Sequence, residues 1–216
     1  MTDPSELHDR PELPFSPAAD RNKQPILDVL LKMLPGSGSA LEIASGTGQH
    51  ACWFAAAMLA WTWQPTDSDP AALPIISARL NLAGLPNVRQ PFHLDVLVDR
   101  WLADGDDFEQ PFDAIFCANL LHISPWITCA AVMHGAARHL AATGLLLTYG
   151  PYLEQGVPTA PGNLTFDADL RARNPAWGIR SLSEVAAEAG RAGLQLRERH
   201  PLPANNLLLA WAKKPV

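Results

Sequence analysis

Apolar residues recur along this chain in two alternating rhythms: short unbroken runs, and stripes spaced for a helix. Ile26 to Leu34 sets Ile26, Val29, Leu30 and Met33 on one face, which predicts an amphipathic helix with Pro25 in its first turn. Pro35-Gly36-Ser37-Gly38 ends it. Ala40 to Ala44 predicts a buried strand, and Ala51 to Ala60 a helix of small apolar residues. Ala60 to Gln64 predicts a second strand, stopped by Pro65. Pro70 to Ala83 predicts a helix behind the capping residues Asp67-Ser68-Asp69. Asn87 to Leu94 predicts a third strand, interrupted by Pro91, and Val96 to Ala103 a short helix. Phe112 to Ala118 and Leu145 to Tyr149 are continuous apolar runs, the mark of parallel strands covered on both faces. Between them Pro125 to Leu140 predicts a helix.

The pattern then breaks. Residues 150–180 carry Gly, Pro, Asn and aromatics with little periodicity, which predicts a functional loop or lid. Ser181 to Ala192 predicts a helix capped by Ser181 or Ser183, with Glu184 as box partner. Leu194 to His200 and Leu207 to Lys213 predict two strands joined by a proline-asparagine turn, an antiparallel hairpin at the sheet edge. Strand–helix alternation of this kind predicts one α/β domain over 15–216, with 1–14 as a loose N-terminal segment and 150–180 as the lid.

Composition narrows the function. The chain has 216 residues, 48% hydrophobic, enough for one full-sized core. Its net charge of −6 argues against a nucleic-acid partner, which normally meets a basic face. No apolar run is long enough for a membrane span, and Met1 to Pro17 is too polar for a signal peptide. Three cysteines, Cys52, Cys117 and Cys129, lie in apolar segments without paired spacing, as expected of reduced thiols in a cytoplasmic protein. No set of His, Cys and Asp has the spacing of a metal site. A monomer or homodimer is expected.

The chemistry centres on the stretch from Leu41 to His50. A strand, the glycine turn Ala44-Ser45-Gly46-Thr47-Gly48-Gln49 and a helix bring backbone N–H groups to a helix N-terminus, a place for a nucleotide-like ligand. Gly46-x-Gly48-x-x-Ala51 satisfies the dinucleotide fingerprint but does not choose a ligand. Glu42 lies inside the apolar run, where it either accepts hydrogen bonds from the glycine turn, reaches the ligand's amine through water, or sits at an exposed edge. Asp67, just beyond the second strand with Ser68 beside it, is placed for ribose hydroxyls or for a helix cap. Asp95-Val96, after the third strand, suits an adenine amine and face, or a plain cap. A short-chain dehydrogenase would need Tyr-x-x-x-Lys; here Tyr149 is followed at that spacing by Leu153 and Tyr152 by Gly156.

Taken together, the in-strand acid, glycine turn, two strand-end acids and final hairpin resemble a class I S-adenosylmethionine-dependent methyltransferase. Longer motifs carry a closer likeness. Ser16-Pro17-Ala18-Ala19-Asp20-Arg21-Asn22, the 41–50 stretch, Trp63-Gln64-Pro65-Thr66-Asp67 and Ala118-Asn119-Leu120-Leu121-His122-Ile123-Ser124-Pro125-Trp126 belong to it. So do Tyr149-Gly150-Pro151-Tyr152, Phe166-Asp167, Asn174-Pro175-x-Trp177-Gly178-Ile179-Arg180 and Pro203-Ala204-Asn205-Asn206. They resemble the methyltransferase-like protein 26 family, also called domain of unknown function 938, from about Phe15 to Lys213. The resemblance implies a Rossmann-like class I methyltransferase fold: a seven-stranded, mostly parallel sheet, helices on both faces, and a C-terminal antiparallel hairpin. It also implies S-adenosyl-L-methionine as cofactor.

On that reading the chain methylates a small molecule by in-line displacement, and positioning supplies most of the acceleration. His122, after the fourth strand, is either the general base or a core histidine; Tyr152 is expected near it. Asn119 is expected to hold the cofactor's methionine end or the acceptor, or to make a turn. Arg21 is expected to pair the cofactor's carboxylate, or to lie in a solvated cluster at the helix start. Asn22, His50, Tyr149, Asn163, Trp177 and Arg180 are the candidate acceptor contacts, with Arg180 available for an acidic acceptor. His50 either faces the acceptor or packs beneath the N-terminal segment. Asn119-Leu120-Leu121-His122 lacks the Pro-Pro-aromatic sequence typical of base-amine methylation, which favours a small acceptor over a nucleic acid. The alternatives are an NAD(P)-dependent oxidoreductase and a non-catalytic S-adenosylmethionine-binding protein.

Overall fold

The computed structural model describes residues 13–98, 101 and 108–215. Most of the segment 1–14 lies outside them. The elements are α1 (Pro17–Met33), β1 (Gly38–Ile43), α2 (Gln49–Ala57), β2 (Trp61–Asp67), α3 (Ala72–Ala83) and β3 (Phe92–His93). They continue as β4 (Phe112–Ala118), α4 (Trp126–His139), β5 (Leu140–Leu153), α5 (Pro161–Arg173) and β6 (Arg180–Ser181), then α6 (Leu182–Arg191), β7 (Leu194–Leu202) and β8 (Asn206–Lys213).

The strands form one sheet in the order β3-β2-β1-β4-β5-β8-β7, with the two-residue β6 added beside β5. The first five pair in parallel; β8 runs antiparallel to both β5 and β7. The hairpin read from the sequence is therefore present, and it is β8 that joins it to the sheet. Two apolar layers cover the faces. Ile26, Leu30, Phe54, Trp63 and Ile76 bring α1, α2 and α3 onto one. Cys129, Val132, Met133, Val185 and Trp211 bring α4 and α6 onto the other.

Several elements differ from their expected limits. Helix α1 begins at Pro17 and continues through Pro25, which is interior to the helix and not in its first turn. Ser16 caps it by accepting the Ala19 N–H at 3.2 Å, and the buried stripe Ala19, Asn22, Ile26 and Leu30 runs across the proline. Burial of that stripe outweighs the one backbone bond the proline removes.

Strand β2 passes through Pro65 to Asp67. The Trp63 N–H points toward Asn87, so two residues on the Pro65 nitrogen points the same way. It meets the gap between the Val88 bridge and β3, where no ladder bond is missing. β3 itself shrinks to two residues after Pro91. Val96–Val98 form a turn; of the rest of that expected helix only Trp101 is described.

The 150–180 stretch is more ordered than its composition suggests. β5 runs on to Leu153, α5 occupies thirteen residues, and β6 starts at Arg180. Ser181 stands at the N-cap of α6 without a capping bond; its hydroxyl meets that of Ser183.

Candidate active site

Strand order reverses direction at β1, whose neighbours are β2 and β4. In open α/β sheets such a switch point opens a crevice at the carboxyl ends of the strands. The glycine turn stands there. Ala44, Gly46 and Gly48 all take left-handed backbone, with φ of 57°, 56° and 73°. Gly48 is the N-cap residue of α2, and a Cβ on it would come within 3.3 Å of Ile76. Gly46 is exposed on the turn with open space around its α-carbon, a cradle that a ligand can approach closely.

Asp67, the last residue of β2, is the carboxylate that serves this turn. Its Oδ2 accepts the Gly46 N–H at 2.8 Å, and its Oδ1 accepts the Asp69 N–H at 2.9 Å. Each oxygen retains accepting capacity for a ribose hydroxyl. Glu42 does not take the turn's backbone bonds. It is buried beneath α2, where its Oε2 accepts the Trp63 indole N–H at 2.7 Å. Burial pushes its pKa up to about 7, against hydrogen bonds from Trp63 and Ser45 and with a smaller push from the Asp67 charge. Its main-chain carbonyl accepts the Thr66 hydroxyl at 2.8 Å. Glu42 thus braces β1 against β2.

The other residues expected at the cofactor divide in the same way. Ser45 Oγ accepts the Thr66 N–H at 3.2 Å. The Thr47 hydroxyl donates to Gln49 Oε1 at 2.9 Å, and its carbonyl accepts Arg79 Nε at 2.6 Å. Arg79 also reaches the Pro14 carbonyl at 2.6 Å, so it ties the N-terminal segment to the turn. Gln49 is committed to α1: its Oε1 accepts the Ser16 N–H at 2.6 Å, and its Nε2 donates to the Ser16 carbonyl at 3.3 Å. Asp95 is half-buried and caps the Leu97 N–H at 2.9 Å beside buried Val96. Ser68 is exposed, and its carbonyl meets His93 Nε2 at 3.1 Å.

A cavity of about 400 Å³ opens under α1 and α5. Arg21, Asn22 and Pro25 come to it from α1, Tyr149 and Pro151 from β5. Asn163 and Phe166 close it from α5, and Pro203, Ala204 and Asn206 from the turn before β8. Asn119 completes it where β4 ends, in left-handed backbone with φ 59°. Ala118 pairs with Tyr149, and the Asn119 N–H donates to the Tyr149 carbonyl at 2.7 Å, which fixes Asn119 against β5. α5 is held over the cavity by Asn163, whose Nδ2 donates to the Ala204 and Asn205 carbonyls at 3.2 Å each. Asn205 Oδ1 accepts the Ala160 N–H at 3.1 Å. The 203–206 segment, which the spacing explains as a simple turn, therefore builds one wall. Only the unusual Pro-Ala-Asn-Asn motif marks it in the sequence.

Polar groups on the α1 side form a chain. His50 Nε2 lies 2.6 Å from Asn22 Oδ1, and Asn22 lies beside the Tyr149 phenol. His50 does not line the cavity; it packs on Phe54 and against the edge of Phe116, with centroids at 5.4 and 5.7 Å. Burial, with the Lys23 charge, pushes its pKa down to about 4. Burial raises the Tyr149 pKa, opposed by the Asn22 bond and the Arg21 charge.

The two residues expected to do the chemistry are elsewhere. His122 is fully buried, and neither ring nitrogen makes a hydrogen bond. Burial and the Arg180 charge push its pKa down to about 3, with Asp167 and the nearby Gly178 backbone opposing. Tyr152 stacks edge-on to it at 5.0 Å, and its hydroxyl donates inward to Thr148 Oγ1 at 2.9 Å. Neither lines the cavity. Alternation along β5 explains Tyr152: Tyr149 and Tyr152 point to opposite faces of the sheet. Arg180 is likewise not free for an acceptor. Its guanidinium donates to the Leu121, Ser124 and Ala176 carbonyls at 2.8, 2.6 and 2.8 Å, fastening the loop after β4. Trp177 lies outside the cavity under Arg173, 5.1 Å from its centroid. Among the described residues, no group of His, Cys, Asp or Glu is arranged to hold a metal ion, and no helix is long and apolar enough to cross a membrane.

A glycine-turned Rossmann-like sheet that closes with an antiparallel hairpin is the fold of the class I methyltransferases. The profile of the family described as a protein of unknown function (DUF938) matches residues 13–213, and the chain belongs to that family. Solved structures share the fold at low identity. An O-methyltransferase family 2 protein from Planctomyces limnophilus, in complex with apigenin, is 20% identical with a TM-score of 0.72, over 91% of this chain and 60% of that one. Mitomycin 7-O-methyltransferase is 16% identical with a TM-score of 0.75, over 91% and 55%. A methyltransferase of calicheamicin biosynthesis, with S-adenosylhomocysteine bound, is 13% identical with a TM-score of 0.70, over 91% and 55%. The chain spans little more than half the length of these solved structures.

Proposed function

We propose that this protein transfers the methyl group of S-adenosylmethionine to a small-molecule acceptor. The observation that carries the reading is the position of Asn119. Ile43 pairs with Cys117, so the glycine turn after β1 and Asn119 after β4 leave the sheet side by side. Asn119 also lines the cavity under α1 and α5. A cofactor crevice and an acceptor cavity therefore share a border, the arrangement that a transfer between two bound molecules requires.

The glycine turn, Asp67 and Asp95-Val96 would hold the cofactor: backbone N–H groups and open glycine α-carbons at the turn, ribose at Asp67, and adenine against Val96. The cofactor supplies an electrophilic methyl group on a sulfonium. The protein's own part is to orient the acceptor and exclude water. α5 with the loop before it serves as the lid, held by Asn163 and Asn205. The fold shared with solved small-molecule methyltransferases supports the same reading. A cytoplasmic location is part of it, supported by three free cysteines.

Isothermal titration tests the reading. S-adenosylhomocysteine should bind and NADH should not. Binding of NADH alone would make the protein an oxidoreductase candidate. Tight S-adenosylhomocysteine binding without methyl transfer across broad acceptor panels would make it a binding protein.

A further inference from the structure

Resting on the methyl-transfer reading, we propose that the cavity under α1 takes an acceptor whose oxygen is already negative, a carboxylate or an acidic phenolate. Arg21 and the Tyr149 hydroxyl are its two donors, and no residue of the protein acts as a base.

Charge comes first. Among the described residues, Arg21 is the one charged residue in the lining, no carboxylate lines the cavity, and none forms an ion pair with Arg21. Arg21 is exposed at the rim of the cavity, and a lone cation there favours an anion, its planar fork matching two oxygens of a carboxylate.

Hydrogen-bond polarity points the same way. Asn22 Oδ1 is occupied by His50 Nε2, so the imidazole donates and that oxygen is already bonded. Tyr149 lines the cavity beside Arg21 and Asn22, and its hydroxyl hydrogen is available to a ligand there. Asn163 turns its Nδ2 to the Ala204 and Asn205 carbonyls. On the α1 side, then, the cavity offers donors in Arg21 and Tyr149. Phe166 with Pro25, Pro151 and Pro203 supplies apolar walls, and about 400 Å³ suits one small ring system.

Proton transfer is the remaining question. Among the described residues the lining holds no imidazole, amine or carboxylate, since His50 and His122 lie behind it. An alcohol entering this cavity would have nothing to surrender its proton to. An oxyanion needs no such partner. Its lone pair forms the O–C bond as the C–S bond breaks, with that electron pair going to sulfur. The negative oxygen and positive sulfonium become a neutral ester or ether and a neutral thioether, and no proton moves.

The cofactor's own carboxylate is a second oxyanion that Arg21 could hold, and the experiment separates the two. Matched pairs of small aromatic probes are screened by ligand-observed NMR: arylcarboxylates against their primary amides, and nitrophenols against their methyl ethers. The wild type, Arg21→Gln and Tyr149→Phe are compared, and S-adenosylhomocysteine affinity is titrated for each. The acids and nitrophenols should bind at least tenfold better than their neutral partners. Arg21→Gln should abolish that preference while S-adenosylhomocysteine affinity changes less than threefold; Tyr149→Phe should weaken acid binding about threefold to tenfold. Equal binding of neutral partners, acid binding that survives Arg21→Gln, or no binding of any probe overturns the inference. So does a large loss of S-adenosylhomocysteine affinity in Arg21→Gln, which assigns Arg21 to the cofactor. A wild type that selects acids through Arg21 but does not bind S-adenosylhomocysteine sinks the methyl-transfer reading and leaves the anion cavity standing.

Discussion

The imidazole of His122 stands directly against the α-carbon of Gly150. A methyl group built on that glycine would lie 2.4 Å from Nε2 and 2.6 Å from Cδ2. Histidine and glycine are therefore a matched pair, one filling the volume that the other leaves open. Gly150→Ala should destabilise the protein by roughly 1–3 kcal/mol through overpacking. Adding His122→Ser should recover the steric part of that loss, while the strain of alanine at φ 158° remains. Urea unfolding of both single variants and the double variant gives the coupling energy; simple additivity would mean that the two residues do not share this space.

Acid should expose the same histidine. The folded protein holds His122 at about 3, below its ordinary 6.5. A depressed histidine pKa means that the unfolded chain binds the proton first. The stability involved is complete above pH 6.5 and falls as pH drops toward 3. Between pH 6.5 and 4.5 it should amount to roughly 2–3 kcal/mol. His122→Leu should make the acid-side fall shallower, with His50 left to supply the remainder. Urea midpoints at pH 7 and 4.5 measure it, and an unchanged slope would show that His122 is solvated.

Glu42 should act in the opposite sense. Its pKa rises from 4.5 to about 7 on folding, so the folded state retains the proton that the unfolded chain has lost. The Glu42 contribution is therefore greatest below pH 4.5 and declines as pH rises toward 7, by roughly 3 kcal/mol. Glu42→Gln keeps an acceptor for the Trp63 indole and removes the titration. The variant should gain stability relative to wild type at pH 7.5 and lose that advantage at pH 4.5. Equal curves for the two proteins would place the carboxylate in contact with water.

Asp67 is the residue to alter for the cofactor. Asp67→Asn keeps the side-chain shape but removes the charge and one of the two acceptors now bound to Gly46 and Asp69. Affinity for S-adenosylhomocysteine should fall more than tenfold, and Asp67→Ala should fall at least as far. Titration calorimetry on thermally intact protein reads the change. Full affinity in both variants would remove Asp67 from the site.

Much of this was legible in the chain itself, for identifiable reasons. β1, β4 and the 194–213 hairpin announce themselves because each is a run of residues buried on both faces or bounded by turn formers. The glycine turn is legible because only small residues tolerate its left-handed steps. Local rules fail where a distant contact decides. Pro25 and Pro65 look like boundaries, but a buried stripe carries α1 past the first, and the second faces a gap in the ladder. α5 is hidden because only Asn163 and Leu170 are buried along it, so it shows no apolar period.

The candidate site divides along the same line. Asp67 and Asn119 stand at the ends of β2 and β4, and Asn119, Asn22 and Tyr149 line the cavity. His122, Tyr152 and Arg180 have the right chemistry in the wrong place. The face each one takes depends on register and on carbonyls far away in sequence. The wall at 203–206 has no chemical signature, since it contributes shape and backbone carbonyls.

The place of β8 has a consequence for the growing polypeptide. Residues 38–119, with the glycine turn, Asp67 and Asn119, emerge from the ribosome long before residues 203–213. A nascent chain therefore carries the glycine turn, Asp67 and Asn119 while the far wall of the cavity does not yet exist. Once β5 has emerged, Leu145, Leu146 and Leu147 lack their β8 partner until residues 210–212 follow, the kind of edge that recruits foreign strands. Arrival of the hairpin completes the binding cavity and removes the aggregation hazard in one event.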